Sequence, residues 1–427
     1  MNAINRKPLI IFFVCFYAMF CFLSLNRHSK ATVFDYHSEI FSDKSGYYVY
    51  LPALFIYDFK ADKLPPQIAV KTGKGFSIDS SKNKIFTKYT YGVALMQSPF
   101  FLVAHLLAKP LGYENNGFSL IYDRMIDFAG VFYAGLGFIF LFLFLTRYVS
   151  KKIAIITLTA LFLGTNLFYY SIFETGMSHV YSFFLFSVFL YLSEGMFKPG
   201  TPFITNLVFG IIVGLIIIVR PINVIFFPVF FMFNKPGLGN IKGLLKPCII
   251  IAFSACILVI PQLMYWRYLS GHLVMYSYTN EGFTNVLSPK ILSVWFSTNN
   301  GLFLYSPLVL IMLSGLIYMR KFHNGWSLFL AFYFLFISYV ISSWWCWNYG
   351  GSYGSRPFVE YYALLSLPFC YLMKYIMESK VRLYVLGFLI VLCITWNLKL
   401  IFSFDGYWYG GDWDWQAFGK FIVSPTK

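Results

Sequence analysis

Long apolar runs separated by short polar connections dominate the chain. A helix needs about 20 consecutive apolar residues to cross the hydrocarbon core of a bilayer. Runs of about this length occur at 8–25, 124–146, 152–172, 176–194, 202–219, 247–266, 302–319, 325–343, 358–375 and 381–402. A shorter run, 222–234, follows Arg220 and Pro221 and has the length of a truncated or tilted span. The pattern predicts an all-α polytopic membrane protein with about 11 transmembrane helices.

The basic residues between the runs predict an orientation for these spans. Lys and Arg are enriched in cytoplasmic connections. With the N-terminus in the cytoplasm, every basic connection faces the cytoplasm: 147–152, Lys198, 235–246, 320–321 and 374–382. This orientation places almost all Asp and Glu residues on the outer side, with Glu194 and Glu378 as the exceptions. It also makes the C-terminal tail, 403–427, external.

The apolar run 91–108 does not fit this orientation as a span. Counting it would invert every later span and move Arg147, Lys152 and Lys321 to the outer side. We therefore interpret it as an amphipathic or re-entrant helix on the outer face. The outer side then holds a large first loop, 26–123, with interfacial helices inside it, and two smaller loops, 267–301 and 344–357.

Composition supports one transmembrane domain over residues 1–427. The chain is 59% hydrophobic and 12% charged, with a mean hydropathy of +0.66, whereas a soluble domain carries about 25% charged residues. The net charge of +16 does not indicate nucleic-acid binding, because the basic residues are spread through short connections. The seven Cys residues show no CxxC or Cys/His spacing, so no metal site or disulfide framework is predicted.

The first outer loop carries acidic residues at a regular interval. Asp35, Glu39 and Asp43 recur every four residues, so on a helix they would share a face. A solvated charged loop is the alternative for Asp35 and Glu39. Asp43 comes just before an aromatic-rich apolar helix predicted over 47–59, which we expect at the bilayer surface. A carboxylate at that boundary is costly unless it has a function, which makes Asp43 the leading candidate.

A second candidate region, 343–362, contains the densest mixture of Trp, Tyr, Gly and charged residues. Arg356 and Glu360 lie four residues apart at the start of a predicted span, and a guanidinium suits a phosphate. Aromatic rings such as those of Trp347, Tyr349 and Tyr353 can stack on the apolar faces of sugars. An aromatic belt with a flexible turn is the alternative interpretation.

Single polar residues at the predicted outer ends of spans form a third group, Glu174, His179 and Arg220. A helix that begins at Pro202 rises roughly 27 Å by Arg220, which places this residue at the outer end. A packing histidine and a snorkelling arginine are the alternatives. No P-loop, GxGxxG or HExxH motif occurs. The predicted cytoplasmic connections are also too short to hold a nucleotide-hydrolysing domain.

These motifs together resemble a known family. They are Asp43 followed by the segment 46–53, the segment 91–94 leading into Pro99, the tripeptide 219–221, and the segment 343–360. The pattern resembles the membrane glycosyltransferases of the GT-C superfamily. The nearest likeness is to bacterial relatives of the protein O-mannosyltransferases and the lipid A aminoarabinose transferases. The resemblance extends over the topology of residues 1–360.

The resemblance implies an inverting glycosyltransferase without a cofactor. Its donor would be a polyprenyl-phosphate-linked sugar, and its acceptor a hydroxyl of a lipid, glycan or protein outside the cytoplasmic membrane. Asp43 would be the catalytic base. Many relatives have two adjacent acids, but Lys44 breaks that pair here, which leaves Glu39 or Glu174 as the second carboxylate.

The other roles follow from the same resemblance. Three residues would bind the donor phosphate: Arg356, Arg220 and His179. Seven residues are candidates for substrate binding: Tyr47, Tyr48, Glu174, Trp347, Tyr349, Tyr353 and Glu360.

Two other classes of function stay open. A transporter of lipid-linked saccharides or an O-antigen polymerase is the main alternative. A transporter is expected to show repeat symmetry and charged residues at mid-membrane, and the sequence pattern indicates neither. A structural or assembly protein would need no carboxylate at the bilayer boundary.

Overall fold

The structure is a computed structural model, and it describes residues 7–29, 32–196, 200–234 and 241–423. These residues are mainly helical, with one short hairpin, so the predicted all-α membrane class is confirmed. The predictions that involve Lys198, 235–240 and the last residues of the tail, 424–427, lie outside the described residues.

The helices follow the predicted apolar runs closely. In chain order they are α1 (Lys7–His28), α2 (Asp43–Tyr48), α3 (Tyr50–Phe55), α4 (Ile68–Lys71), α5 (Gly92–Ala108), α6 (Leu120–Leu145), α7 (Lys151–Gly164), α8 (Leu167–Ile172), α9 (Ser178–Ser193), α10 (Phe203–Val219), α11 (Phe230–Phe233), α12 (Ile241–Ser270), α13 (Ile291–Phe296), α14 (Leu302–Tyr305), α15 (Leu308–Met319), α16 (Asn324–Ser342), α17 (Tyr362–Met377), α18 (Lys380–Ser403) and α19 (Trp415–Val423). The described 3₁₀ helices are Ala61–Lys63, Pro221–Val229 and Arg356–Phe358.

Within the described residues, five helices are long and apolar enough to cross a membrane. They are Ile10–His28, Leu120–Leu145, Leu245–Ser270, Asn324–Ser342 and Lys380–Ser403. Shorter apolar helical segments of 10 to 17 residues are Gly92–Ala108, Ser178–Ser193, Phe203–Val219, Pro221–Phe233, Leu308–Met319 and Tyr362–Met377. The total of eleven spans therefore stays a prediction.

The chain forms two compact units. Unit 1 consists of Met1–Phe140 and Tyr170–Ser277, and unit 2 of Leu141–Tyr169 and Tyr278–Lys427. In unit 1, α10 packs against α9 and α12. In unit 2, α15 packs against α16 and α17, and α7 packs against α17 and α18.

The close approach of α10 and α12 depends on two glycines, Gly210 and Gly214. A Cβ atom at Gly210 would lie 2.0 Å from Oγ of Ser254, and one at Gly214 would lie 3.0 Å from Cα of Ala255. The spacing of four puts both glycines on one helix face. Small residues at this spacing let membrane helices approach closely, so unit 1 uses a typical membrane packing device.

Two runs that the sequence predicts as continuous helices are interrupted in unit 2. The run 152–172 breaks between α7 and α8 at Thr165 and Asn166, and the run 302–319 breaks between α14 and α15. Polar side chains bond to the backbone groups left free at the first break. Nδ2 of Asn397 donates to the carbonyl of Thr165 at 3.0 Å, and the N–H of Asn166 donates to Oγ of Ser306 at 3.1 Å. Pro307, whose ring nitrogen cannot donate a hydrogen bond, follows the second break.

The predicted first outer loop, 26–123, contains α2 to α5 and an antiparallel hairpin. The hairpin pairs β1 (Ser77–Asp79) with β2 (Lys84–Phe86), with Ile78 opposite Ile85. The helix predicted over 47–59 begins earlier, at Asp43, and α3 ends at Phe55. The interior of this region is a buried hydrophobic cluster, mostly of aromatic and aliphatic residues, that includes Tyr48, Leu51, Phe101, Tyr122 and Ile126.

Candidate functional site

Buried charged residues gather in the interior of unit 1. Their side chains come from the C-terminal end of α1, the turns between residues 32 and 42, the start of α2, the start of α6 and the connection between α8 and α9. We call this set the charge network: His28, Glu39, Lys44, Asp123, Asp127 and Glu174. Burying charged side chains among apolar helices has a large desolvation cost unless each charge is paired.

Glu39 is at the centre of the charge network and is fully buried. Its Oε1 lies 2.8 Å from Nε2 of His28 and 3.3 Å from Nζ of Lys44, and its Oε2 accepts a hydrogen bond from the backbone N–H of Gly176. Burial alone would raise the pKa of this carboxyl, but Lys44, His28 and the Gly176 amide outweigh burial and lower the pKa to about 2. Glu39 is therefore a fixed anion, and the alternative of a solvated loop residue does not describe it.

Lys44 connects Glu39 to a second carboxylate, Glu174. Its Nζ lies 2.8 Å from Oε2 of Glu174, and the lysine itself is buried. Burial would lower the pKa of Lys44, but the two carboxylates outweigh it and raise the pKa. Burial raises the pKa of Glu174 above its ordinary value, and Lys44 only partly offsets this. The Glu174 side chain is 21% exposed, so it is the member of this trio that solvent can reach.

Asp123 and Asp127 add two carboxylates from one face of α6. Oδ1 of Asp123 accepts hydrogen bonds from the Ser38 hydroxyl at 2.7 Å and from the backbone N–H of Glu39 at 2.6 Å. Oδ1 of Asp127 accepts from the Ser24 hydroxyl at 2.5 Å and from the Thr175 hydroxyl at 2.9 Å. Oδ2 of Asp127 lies 3.5 Å from Nδ1 of His28.

Sequence reasoning missed four members of the charge network: His28, Lys44, Asp123 and Asp127. A signal was present for the two aspartates, because a pair of acids four residues apart at the start of an apolar run shares one helix face. His28 similarly follows the first apolar run directly. In the sequence Lys44 only breaks an acidic pair, whereas in the structure it joins Glu39 and Glu174, which are distant in the sequence.

The predicted base, Asp43, occupies the first position of α2 and is half-buried. Asp35 is also half-buried but lies in the preceding turns, so Asp35, Glu39 and Asp43 do not share a helix. Tyr47, one turn after Asp43, is buried, and its ring packs against Tyr89 at 4.1 Å between centroids. Tyr48 is fully buried, and its hydroxyl donates to the carbonyl of Gly117, so it packs in the protein interior.

Arg220 and His179 are in contact in unit 1. Nη1 of Arg220 lies 3.2 Å from Nδ1 of His179. Pro221 disfavours helical backbone at the residue before it, and Arg220 has an extended conformation that ends α10. His179 lies in the first turn of α9, next to Ser178, whose hydroxyl donates to the Tyr47 hydroxyl at 3.1 Å. The five-residue interval from Glu174 to His179 thus joins the charge network to this Arg–His pair.

The other predicted residues lie in unit 2. The Arg356 guanidinium stands 5.9 Å from the ring centroid of Tyr349, and Glu360 is buried. Trp347 is half-buried. Tyr353 is fully buried, and its hydroxyl donates to the carbonyl of Asn397 at 3.1 Å, so it has a packing environment like that of Tyr48.

The unit 1 arrangement places an arginine–histidine pair, an aromatic hydroxyl and a partly exposed carboxylate within one region. Among the described residues, no group of three or more His, Cys, Asp or Glu side chains has the arrangement of a metal site. Comparison with protein-family models, curated proteins and solved structures finds no match to this chain. The function is therefore proposed from the residues themselves.

Proposed function

We propose that this protein is an inverting glycosyltransferase of GT-C type with about eleven spans. It would move a sugar from a polyprenyl-phosphate-linked donor to an acceptor hydroxyl at the outer face of the cytoplasmic membrane. The observation that supports this most is the 3.2 Å contact between Arg220 and His179, beside Ser178 and Tyr47. A planar guanidinium next to an imidazole suits a phosphate, since both groups can donate hydrogen bonds to its oxygens.

The carboxylates have two different roles in the proposal, one structural and one in the reaction. Glu39 has both oxygens engaged and a pKa of about 2, so it is a poor proton acceptor. Asp43 is half-buried at the start of α2 and keeps the role of base in the proposal. Glu174, partly exposed and held by Lys44, becomes the second carboxylate in preference to Glu39.

The reaction is a single displacement at the anomeric carbon. The acceptor oxygen forms a bond to this carbon while the bond from the carbon to the phosphate oxygen breaks, so the configuration inverts. The proton of the acceptor hydroxyl passes to the Asp43 carboxylate. The leaving polyprenyl phosphate takes the bonding electron pair, and Arg220 and His179 stabilise its developing charge. Arg356 remains a prediction for donor binding, made from the sequence alone.

The proposal is tested by titrating a polyprenyl phosphate into the purified protein. Arg220→Gln removes a charge-assisted contact, which is worth about 1.5–3 kcal/mol, so the affinity should fall roughly 10- to 100-fold. Arg220→Lys keeps the charge but loses the bidentate geometry, so its affinity should lie between those of Arg220→Gln and wild type. Asp43→Asn should bind with wild-type affinity, and its turnover should be at least about 100-fold lower.

Arg320→Gln is the matched control. Arg320 is exposed, and its Nε donates to Asn324 at 3.0 Å, so this variant should bind like wild type. Wild-type affinity in a folded Arg220→Gln variant would remove the proposed phosphate site and leave Arg220 as a residue that anchors the end of a helix.

The buried acids of α6 favour one alternative function. Asp127 and His28 lie within helices that are long enough to cross a membrane, and such residues often mark an ion or substrate path. A transporter of lipid-linked saccharides would move its substrate across vesicle membranes without changing any covalent bond. Such movement in reconstituted vesicles, without transfer of the sugar, would favour this alternative over the transferase.

A further inference from the structure

A segment of unit 2, residues 282–296, exposes several large apolar side chains. Leu287 is 100% exposed and Leu292 is 71% exposed, and Phe283, Val286 and Phe296 are also exposed. Lys290 is the one charged residue of the segment. Side chains of this kind are unfavourable in water, and so many of them in one short segment mark a contact surface.

The segment is held at the C-terminal end of α16 by backbone hydrogen bonds. The N–H of Asn285 donates to the carbonyl of Ser343 at 3.0 Å, and the N–H of Lys290 donates to the carbonyl of Ser342 at 3.2 Å. The carbonyl of Gly282 accepts from the N–H of Trp345 at 2.8 Å. The position of the exposed leucines is therefore fixed relative to α16.

From this end, α13 runs back along α16. Nε1 of Trp295 donates to the hydroxyl of Ser338 at 3.0 Å, and its ring stacks on Phe334 with centroids 5.9 Å apart. Ser338 and Phe334 lie four and eight residues before Ser342. At 1.5 Å per residue, these contacts occur about 6 Å and 12 Å back from the end of the helix.

The helix α16 is itself long and apolar enough to cross a membrane. Phe332, Leu335 and Phe336 expose apolar side chains on its surface, as a helix in contact with lipid does. The distance of 12 Å reaches well into one leaflet of a hydrocarbon core about 30 Å thick. The exposed side chains of α13 therefore lie beside the apolar surface of α16, at the depth of the lipid acyl chains of one leaflet.

We propose that residues 282–296 form a re-entrant segment whose Leu292 and Phe296 side chains contact the lipid acyl chains of the leaflet at the C-terminal end of α16. Backbone polar groups must be satisfied at such a depth. The N–H of Val294 donates to the carbonyl of Lys290, and the N–H of Ser297 donates to that of Ser293. Lys290, at the level of the helix end, can reach the headgroups with its ammonium. This segment belongs to the region 267–301, which the sequence predicts as an outer loop.

The proposal is tested by photocrosslinking in vesicles of phosphatidylethanolamine and phosphatidylglycerol. The photoreactive amino acid p-benzoylphenylalanine replaces Leu292 in one variant and Phe296, which is already aromatic, in a second. Illumination should give covalent phospholipid adducts at both positions, detected by mass spectrometry of the digested protein. The same amino acid in place of Ser80, an exposed polar residue of the β1–β2 turn, is the control and should give at least several-fold less adduct.

Three results would overturn the proposal. One is crosslinking of positions 292 and 296 to a second copy of the chain in place of lipid. Another is the absence of phospholipid adducts at both positions in variants that elute as folded protein. The third is an equal adduct yield at position 80, because the segment would then have no special lipid contact.

Discussion

The ammonium group of Lys44 contacts two carboxylates in the interior of unit 1. It lies 3.3 Å from Glu39 and 2.8 Å from Glu174, two acids that are 135 residues apart in the sequence, and it is buried. Without Lys44, Glu174 would lose its lysine partner, and Glu39 would keep only His28 as a side-chain partner. Removing one partner of a buried pair is more damaging than removing a pair at the surface.

We predict that Lys44→Met destabilises the protein by about 3–5 kcal/mol, because it leaves Glu39 and Glu174 without this charge. Thermal unfolding in detergent measures the effect. Lys63→Met is the matched control, since Lys63 pairs with Asp58 at 2.5 Å on the surface and should matter little. Equal melting temperatures for the two variants would show that Lys44 does not balance the buried acids.

The sequence identifies polar residues that stand next to long apolar runs. Glu39, Glu174, His179 and Arg220 stand out as polar residues at the ends of apolar runs, and the structure links Glu39 with Glu174 and His179 with Arg220. The four-residue spacing of Asp123 and Asp127 is visible in the sequence, but the partner of Asp127, Ser24, is not, because pairing across about 100 residues leaves no local pattern. Tyr48 and Tyr353 resemble ligand-binding aromatics in sequence, yet both are packed inside the protein.

At the level of elements, the contact between α10 and α12 depends on glycine. It follows from the four-residue spacing of Gly210 and Gly214. Any Cβ at Gly210 would overlap both Ser254 and the carbonyl of Ile251 at 2.5 Å. The two helices would then have to separate.

We predict that Gly210→Val lowers the stability of the protein by at least about 1–3 kcal/mol through overpacking. Thermal unfolding in detergent and the yield of monodisperse protein are the measurements. Gly387→Val in α18 is the control, because the nearest atom to a Cβ there is 3.9 Å away. A Gly210→Val variant as stable as Gly387→Val would mean that α10 and α12 do not approach as closely as described.

Element positions were predictable where an apolar run is uninterrupted. The predicted runs 325–343 and 381–402 correspond to α16 and α18 within one or two residues. The interruption at Thr165 was not predictable, because it depends on Asn397, a residue more than 200 positions away whose amide bonds to the free carbonyls. The shorter run 222–234 is mostly 3₁₀ helix, and the local cause is Pro221, directly before the run, and Pro228 within it.

For the whole molecule, the basic connections predict a definite topology. A reporter fused after Lys152 or Lys321 should be cytoplasmic, and one inserted at Ser80 or fused to the C-terminus should be external. Alkaline phosphatase and fluorescent-protein fusions measure the two locations. A cytoplasmic C-terminus would mean that α5, Gly92–Ala108, crosses the membrane and that the later spans are inverted.

The charge network also sets an order of events during synthesis. The backbone amide of Gly176 that binds Glu39 is made 137 residues after it. At about 5–20 residues per second, a ribosome needs roughly 7–27 seconds for that interval. During this time α1 is already available for insertion, while Glu39 and His28 still await Gly176 and Asp127. The charge network is therefore complete only after the connection that precedes α9 has been synthesised.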